Sequence, residues 1–357
     1  MSGDTYDPAT DGELLTGGDP RDLILTDDKT VFVPAGTTNF YENLRGAAFT
    51  LTKTGGGVLQ IGHVATTNVS VVVEEGAVEV TNRRPAAFAD AFFHVDASAA
   101  DTLVTETRGG TNFVTRWNDA DGRGRYAGPL SASRCGRTDP TNRLPFVSAK
   151  LLGTHPYLDF GSLIVPGYTN ESGVAIGWGG ALAWSEPCTA MRQGFTVVSD
   201  TPDVEELTNR YANASSYSPM SFFSQAEHTT GYRGSFSSSH YLWLYADNAG
   251  NYPFTRGTNY LDGVRTTCKR SFPSGFHLLD STTDENVTVD SFGAEYWSRN
   301  GTKYMYGGTR IAEHCVFTNV LSELDRLDVT RYLQAKWFPQ AIPSVTVKAG
   351  ARFAADA

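Results

Sequence analysis

The 357-residue chain is short of charge: Asp, Glu, Lys and Arg together make up 19% of it, below the usual quarter. That leaves little material for salt-bridged surface helices and suits strands joined by Gly, Thr, Ser and Asn turns. Positive charge is the scarcer sign, with Lys+Arg 29 against Asp+Glu 39 and a formal net charge of −10 at pH 7. Nucleic-acid binding is therefore disfavoured, because phosphate contacts need clustered cations. Arg116, Arg123, Arg125, Arg134, Arg137 and Arg143 do gather, but Asp119, Asp121 and Asp139 lie among them. No apolar run approaches the roughly 18 residues of a membrane span, so no membrane insertion is expected in this segment.

Cysteine and histidine are also sparse. Cys135, Cys188, Cys268 and Cys315 match no C-x-x-C metal spacing. They could form two disulfides, in any of three connectivities, or stay as four buried thiols. The seven histidines form no H-x-H or H-x-x-x-H pair. No G-x-S-x-G elbow, P-loop or dinucleotide fingerprint occurs, so acyl-transfer, nucleotide and hydride chemistry have no support.

What is present is a pattern, V-x-V-x-x-G. It appears at Val31-Phe32-Val33-Pro34-Ala35-Gly36, at Val71-Val72-Val73-Glu74-Glu75-Gly76 and at Val345-Thr346-Val347-Lys348-Ala349-Gly350. A β-branched pair at period two makes a short strand with one buried face, and the glycine permits a sharp corner. Units this small bury a core only when stacked. A β-solenoid is therefore expected at both ends of the chain, around a long non-repetitive block.

Organisation follows from composition. Residues 1–20, rich in Asp, Gly, Thr and Pro, read as a flexible lead-in. Residues 21–85 read as solenoid strands: Leu23–Leu25, Thr30–Val33, Phe49–Thr52, Val58–Ile61, Val69–Val73 and Ala77–Val80. Asn82-Arg83-Arg84-Pro85 closes that segment. Residues 86–340 have longer strands, at Ala91–Val95, Asn112–Trp117, Val174–Gly177, Phe195–Val198, Tyr241–Tyr245, Gly275–Leu279, Val287–Phe292 and Arg310–Phe317. Their spacing predicts a two-sheet sandwich. One helix is expected after Ser322, its N-cap, with Asp325 three residues on and Pro339 as the stop. Leu324, Leu327, Tyr332, Leu333 and Trp337 are its expected apolar stripe. Residues 341–357 return to the solenoid pattern.

The stretch Leu51-Thr52-Lys53-Thr54-Gly55-Gly56-Gly57-Val58-Leu59-Gln60-Ile61-Gly62 resembles the autotransporter-associated repeat, L-x-K-x-G-x-G-x-L-x-L. The resemblance implies a right-handed parallel β-solenoid on a secreted bacterial surface protein. In the central block, three groups of phrases resemble laminin-G-like, concanavalin-type jelly-roll domains. They are Phe93-His94-Val95-Asp96-Ala97-Ser98 with Trp117-Asn118-Asp119 and Gly122-Arg123-Gly124; Tyr157-Leu158-Asp159-Phe160-Gly161; and Ala312-Glu313 with Tyr332-Leu333-Gln334-Ala335-Lys336-Trp337. This resemblance implies two curved antiparallel sheets and, as the commonest role, glycan binding or adhesion. The stretches Thr138–Pro145 and Asn209–Gly234 lie outside its pattern.

Each constellation has a bland reading beside the sharp one. Glu323-Leu324-Asp325-Arg326-Leu327-Asp328 is close to the E-x-D-x-x-E of jelly-roll β-glucan hydrolases. On a helix, however, positions i and i+2 point about 200° apart, and a capping, solvated face explains it better. Asn118, Asp119 and Asp121 resemble a short loop that coordinates Ca²⁺. Arg123 and Arg125 oppose a cation there, and an Asx-capped hairpin turn is the stronger reading. Asp280, Asp284, Glu285 and Asp290 read better as a solvated loop than as a second oxygen site. His94, among apolar neighbours, reads as a hydrogen-bonded core residue.

A pyranose stacks its C–H face on an aromatic ring while nearby polar groups bond its hydroxyls. Trp178, Trp184, Tyr232, Arg233, Tyr252, Tyr260 and Asp262 are the candidate ligand residues, although a sandwich tryptophan is more often core. The expected fold is all-β: a concanavalin-like two-sheet jelly roll with one C-terminal helix, plus a short β-solenoid. The expected role is a non-catalytic adhesion or carbohydrate-binding segment of a longer extracellular or cell-surface bacterial protein. Its expected partners are a glycan or cell-surface polysaccharide and the neighbouring solenoid repeats. The alternatives are a structural spacer of a surface fibre and a polysaccharide-degrading enzyme.

Overall fold

The computed structural model describes residues 21–46, 48–64, 69–129, 144–161, 180–199, 220–224, 231–234, 253–268, 272–273, 275–292, 297–299, 302–304, 309–339 and 344–355. The fold is mostly β. Two compact units divide it, Met1–Pro85 with Leu327–Ala357, and Ala86–Arg326.

In the first unit successive strands alternate between two ladders. One ladder runs β1 (Asp22–Leu25), β3 (Thr38–Gly46), β5 (Val58–Val64), β7 (Ala77–Val80) and β24 (Arg352–Ala355). The other runs β2 (Lys29–Phe32), β4 (Thr50–Thr54), β6 (Ser70–Val73) and β23 (Ser344–Val347). Every pairing is parallel and in register, so Leu51, Val71 and Val345 stack in one column and Lys53, Val73 and Val347 in the next. In-register stacking puts equivalent residues on the same face of each strand. Leu51, Leu59, Ile61, Val71, Val73 and Val78 fill the interior between the ladders.

The glycines of the repeated pattern, Gly36, Gly76 and Gly350, have φ of 76°, 68° and 87°, a region that side chains with a Cβ disfavour. At Gly76 a Cβ would also sit 2.2 Å from the Gly57 carbonyl oxygen. One cation lies at this corner. Lys53 is fully buried, and its Nζ donates to the carbonyls of Thr54 (3.0 Å), Gly55 (2.6 Å) and Glu75 (3.0 Å). Desolvating an ammonium costs several kcal/mol, about what three charge-assisted bonds of ~1.5–3 kcal/mol each offset. The lysine is tolerated because it stitches the corner carbonyls of two successive rungs.

Strand β3 escapes sequence reading. Asn39, Glu42, Asn43 and Arg45 break its apolar alternation, yet Asn43 is buried and its Nδ2 donates to Asp22 Oδ1 at 2.5 Å.

In the second unit the strands are β8 (Phe93–Asp96), β9 (Leu103–Arg108), β10 (Thr111–Asn118), β11 (Tyr126–Pro129), β12 (Phe146–Leu152), β13 (His155–Asp159), β14 (Leu182–Ser199), β15 (Met220–Ser224) and β16 (Gly231–Gly234). After the short helix α1 (Pro253–Arg256) come β17 (Asn259–Leu261), β18 (Val264–Thr266), β19 (Phe276–Phe292), β20 (Trp297–Arg299), β21 (Thr302–Tyr304) and β22 (Arg310–Phe317). All of their pairings are antiparallel.

Neighbouring strands run β16-β15-β19-β14-β11-β10-β12-β13-β22-β8, and β14 also pairs with β22, so the path returns on itself. The long β14 makes this possible. Leu182–Trp184 pair with β11 and Gln193–Ser199 with β22, and register shifts at Ala183, Cys188 and Met191 bend the strand between. Phe93, Trp117, Leu158, Trp184, Phe292 and Val316 are among the core residues. The stretch expected as two strands and an acidic loop is the single strand β19. Val174–Gly177 and Tyr241–Tyr245 lie outside the described residues.

The expected helix is α2 (Glu323–Trp337). Ser322 Oγ accepts from Asp325 N–H at 3.2 Å, the N-cap read from sequence, and donates to Asp325 Oδ2 at 2.6 Å. Its buried stripe differs from the expected one: Val329, Leu333 and Trp337 are buried, while Leu324 is 50% exposed. Arg326 is the residue turned inward in the first turn, because Asp280 holds it at 3.3 Å.

Candidate functional site

Two polar clusters are built into the second unit. The first joins sequence phrases that lie far apart. Strand β8 places His94 beside Cys315 of β22, and the Nε2 of His94 lies 2.7 Å from Glu313 Oε1. The other ring nitrogen, Nδ1, lies 3.3 Å from Asp121 Oδ2. Phe88 stacks on the imidazole with ring centroids 4.3 Å apart. His94 is 1% exposed and Glu313 0%.

The loop Asn118–Asp121 completes this cluster, which decides its chemistry. Asp119 Oδ1 accepts from the Asp121 N–H at 2.8 Å and Oδ2 from the His94 N–H at 3.3 Å. Arg123 donates to Asp121 Oδ2 at 2.6 Å, to Asp119 Oδ2 at 3.4 Å and to the Phe88 carbonyl at 2.9 Å. Asn118 turns away and donates to the Thr102 carbonyl at 2.9 Å. The residues suggested for Ca²⁺ are thus engaged in bonds within the protein. The Arg123 guanidinium bridges both carboxylates, and Asn118 gives its N–H₂ to the Thr102 carbonyl. Among the described residues no group of three or more His, Cys, Asp or Glu side chains is placed to hold a metal ion.

The second cluster lies where α2 begins. Asp280, on β19, accepts from Gln193 Nε2 at 2.8 Å and from Arg326 Nη1 at 3.3 Å. Gln193 Oε1 in turn accepts the Leu321 N–H at 2.9 Å. Arg326 also forks onto Glu323 at 2.7 and 2.6 Å and lies 3.8 Å over the Tyr260 ring. Burial pushes the Asp280 carboxyl up to about 6, against the pull of its bonds to Gln193 and Arg326. Burial also raises the Tyr260 phenol, and the adjacent Arg326 opposes it. For Arg326, burial acts to lower the pKa, but Glu323 and Asp280 outweigh it and the guanidinium stays charged.

The candidate ligand residues scatter. Trp184 is 6% exposed and packs on Phe93 and Phe292 at 4.9 and 5.1 Å. It belongs to the interior and not to a rim, because β14 turns that face toward the core. Tyr260 and Asp262 lie two residues apart, at the β17–β18 hairpin. Asp262 has φ 53°, as the turn requires; its Oδ1 accepts the Leu278 N–H at 2.9 Å, and its Oδ2 lies 2.7 Å from His277 Nδ1. Tyr232 and Arg233 are on β16, whose side chains are not described, and Trp178 and Tyr252 lie outside the described residues. Of the candidates, Asp262 is exposed and pairs with the partly buried His277, while Tyr260, two residues away, is partly buried beneath Arg326.

The carboxylates of the hydrolase-like run are all engaged structurally. Glu323 holds Arg326 and Asp325 caps the helix, while Asp328 accepts from Arg21 at 3.0 and 3.1 Å. Cys188 is a buried thiol whose pKa burial raises, Cys315 is buried and Cys268 partly so. Cys135 lies outside the described residues. The His94–Glu313 pairing was missed by sequence reading, because its partners are 219 residues apart and nothing local links them.

Comparisons of the chain with protein-family models, with curated proteins and with solved structures find no match.

Proposed function

We propose that this chain is a non-catalytic adhesion or carbohydrate-binding segment of a large secreted or cell-surface bacterial protein, with a concanavalin-like jelly roll inserted into a short β-solenoid. One observation carries the reading. After β7 the chain leaves the paired ladders, and it returns as β23 and β24, which add in parallel register to β6 and β7 as the next rung. An enzyme domain needs no such rung on each side of it, whereas a module displayed along a rod does. The buried setting of His94 and Glu313, and the structural engagement of Glu323, Asp325 and Asp328, favour the non-catalytic reading.

The ligand would meet the β17–β18 hairpin, where Tyr260 supplies a partly covered ring and Asp262 with His277 supplies polar groups for sugar hydroxyls. A glycan array and polysaccharide pulldown test this. Binding that Tyr260→Ala and Asp262→Ala weaken about ten-fold supports it, a loss of ~1.4 kcal/mol. No binding at high micromolar ligand overturns the glycan role in favour of a structural spacer. That second reading draws on the use of Trp184 and the Asn118–Asp121 loop in internal packing. Release of sugar from polysaccharides in a turnover screen would overturn both.

A further inference from the structure

The two ends of the parallel ladders are unlike. At the β2 end, Val31 is 8% exposed and Val33 0%, so the interior is closed. At the β23 end, Val345 and Val347 are 38% and 43% exposed, although they stack on Val71 and Val73, which are 1% and 0% exposed. Among the described residues neither β23 nor β24 pairs on its outer side. Unpaired edges of this kind are ready templates for another strand.

Charge alternates along the ladders at this end. Lys348 Nζ lies 2.5 Å from Glu74 of the rung beneath. Arg352 bonds Glu79, which also accepts from Gln60 one rung further in, at 3.2 Å. The side chains of Lys348 and Arg352 are 57% and 64% exposed while bonded to the acids of the rung beneath. Opposite charges on facing strands stabilise pairing and like charges oppose it. The next rung therefore needs valines over Val345 and Val347, an acid over Lys348, and an acid over Ala354 that Arg352 reaches diagonally, as it reaches Glu79 in the rung beneath.

Resting on the solenoid reading, we infer that the β23–β24 edge is an acceptor for one further parallel rung of acidic character. Its pattern is that of Val71-Val72-Val73-Glu74-Glu75-Gly76-Ala77-Val78-Glu79. Such a rung would cover Val345, Val347 and Phe353 and place a second acid beside each of Lys348 and Arg352.

Three proteins test this: the full chain, the full chain with a copy of residues 65–81 joined after Ala357, and the same extended chain with E74K and E79K in the copy only. Backbone hydrogen exchange is read over 344–355 and over 70–80. The acidic copy is expected to slow exchange of the outward amides of 344–355 by ~10-fold or more, and the charge-reversed copy to slow it far less. Equal protection by both copies overturns the acidic requirement. No protection by either, with 70–80 still protected, overturns the acceptor edge and leaves the ladder reading intact. Coil-like exchange at 70–80 in the full chain overturns the ladder reading itself. Sedimentation showing that the full chain pairs with itself through this edge, and ceases to when the copy is added, assigns the edge to a second copy and overturns the inference.

Discussion

His94 Nε2 lies 2.7 Å from Glu313 Oε1, joining β8 to β22 across 219 residues of chain. Both side chains are closed to solvent, so neither can turn to water if the other is removed. Glu313→Leu is expected to cost about 3–5 kcal/mol, as for a broken buried pair, and the double change His94→Leu with Glu313→Leu to cost less. Urea unfolding of the four proteins in a double-mutant cycle measures this. Additive losses would show that the two groups are not coupled.

Lys53 makes the same argument in the ladders. Lys53→Met keeps most of the volume and takes the ammonium from the carbonyls of Gly55 and Glu75, while Thr54 keeps the Val33 N–H at 3.0 Å. A loss of about 1–3 kcal/mol per unsatisfied group bounds the effect from above, because the ammonium's desolvation cost is removed with it. Thermal melts followed by far-ultraviolet circular dichroism should show the first unit weakened. An unchanged melt would mean that water replaces the ammonium.

The two units are expected to respond to acid in opposite directions. Burial lowers the His63 pKa to about 4, helped by Arg331 and opposed by its hydrogen bond to Asn82. An unfolded histidine titrates near 6.5, so the unfolded state takes up the proton first. The stability contributed by neutral His63 is present above that value and is lost as pH falls toward 4, by about 3 kcal/mol at most. His63→Gln should flatten this slope.

Asp280 carries the reverse sign. Its folded carboxyl titrates at about 6, above the unfolded value near 3.9, so the native state holds the proton more tightly. Protonation favours the folded second unit below about pH 4, and this contribution fades as pH rises through 6, by roughly 2–3 kcal/mol. Asp280→Asn, which can still bond Gln193, should remove that slope. Hydrogen exchange from pH 4 to 7, read separately in the two units, resolves both trends.

Trp184 tests the division between core and ligand surface. Trp184→Ala should cost about 3–5 kcal/mol through the cavity it leaves, without altering glycan affinity of the folded protein. Its Nε1 is buried with no hydrogen-bond partner among the described residues, so Trp184→Phe forfeits no hydrogen bond there and should cost less than half as much. A specific loss of binding at unchanged stability would return Trp184 to the ligand site.

Much of the fold was legible because its signals are local. The strand at Val58–Ile61 is written in side-chain alternation, Arg310–Phe317 in a run of mostly apolar residues, and the start of α2 in its Ser322 cap. The candidate site was much less legible. Of the residues chosen for it, Trp184 lies in the core and Asp119 and Asp121 hold Arg123. A residue type announces what it could do, while burial and partners decide what it does. The Leu324 stripe failed for the same reason, since Asp280 drew Arg326 inward instead.

The amino-acid sequence by itself determined where strands such as Thr30–Phe32 and Val58–Ile61 extend and where α2 starts, because backbone preference and β-alternation act over a few residues. It also marked the corners, since a positive φ at Gly36, Gly76 and Gly350 demands glycine whatever surrounds it. Only the tertiary structure decided that β23 lies on β6, that His94 meets Glu313 and that Asp280 is buried. Those outcomes depend on which distant surfaces exclude water together, and no local pattern encodes that.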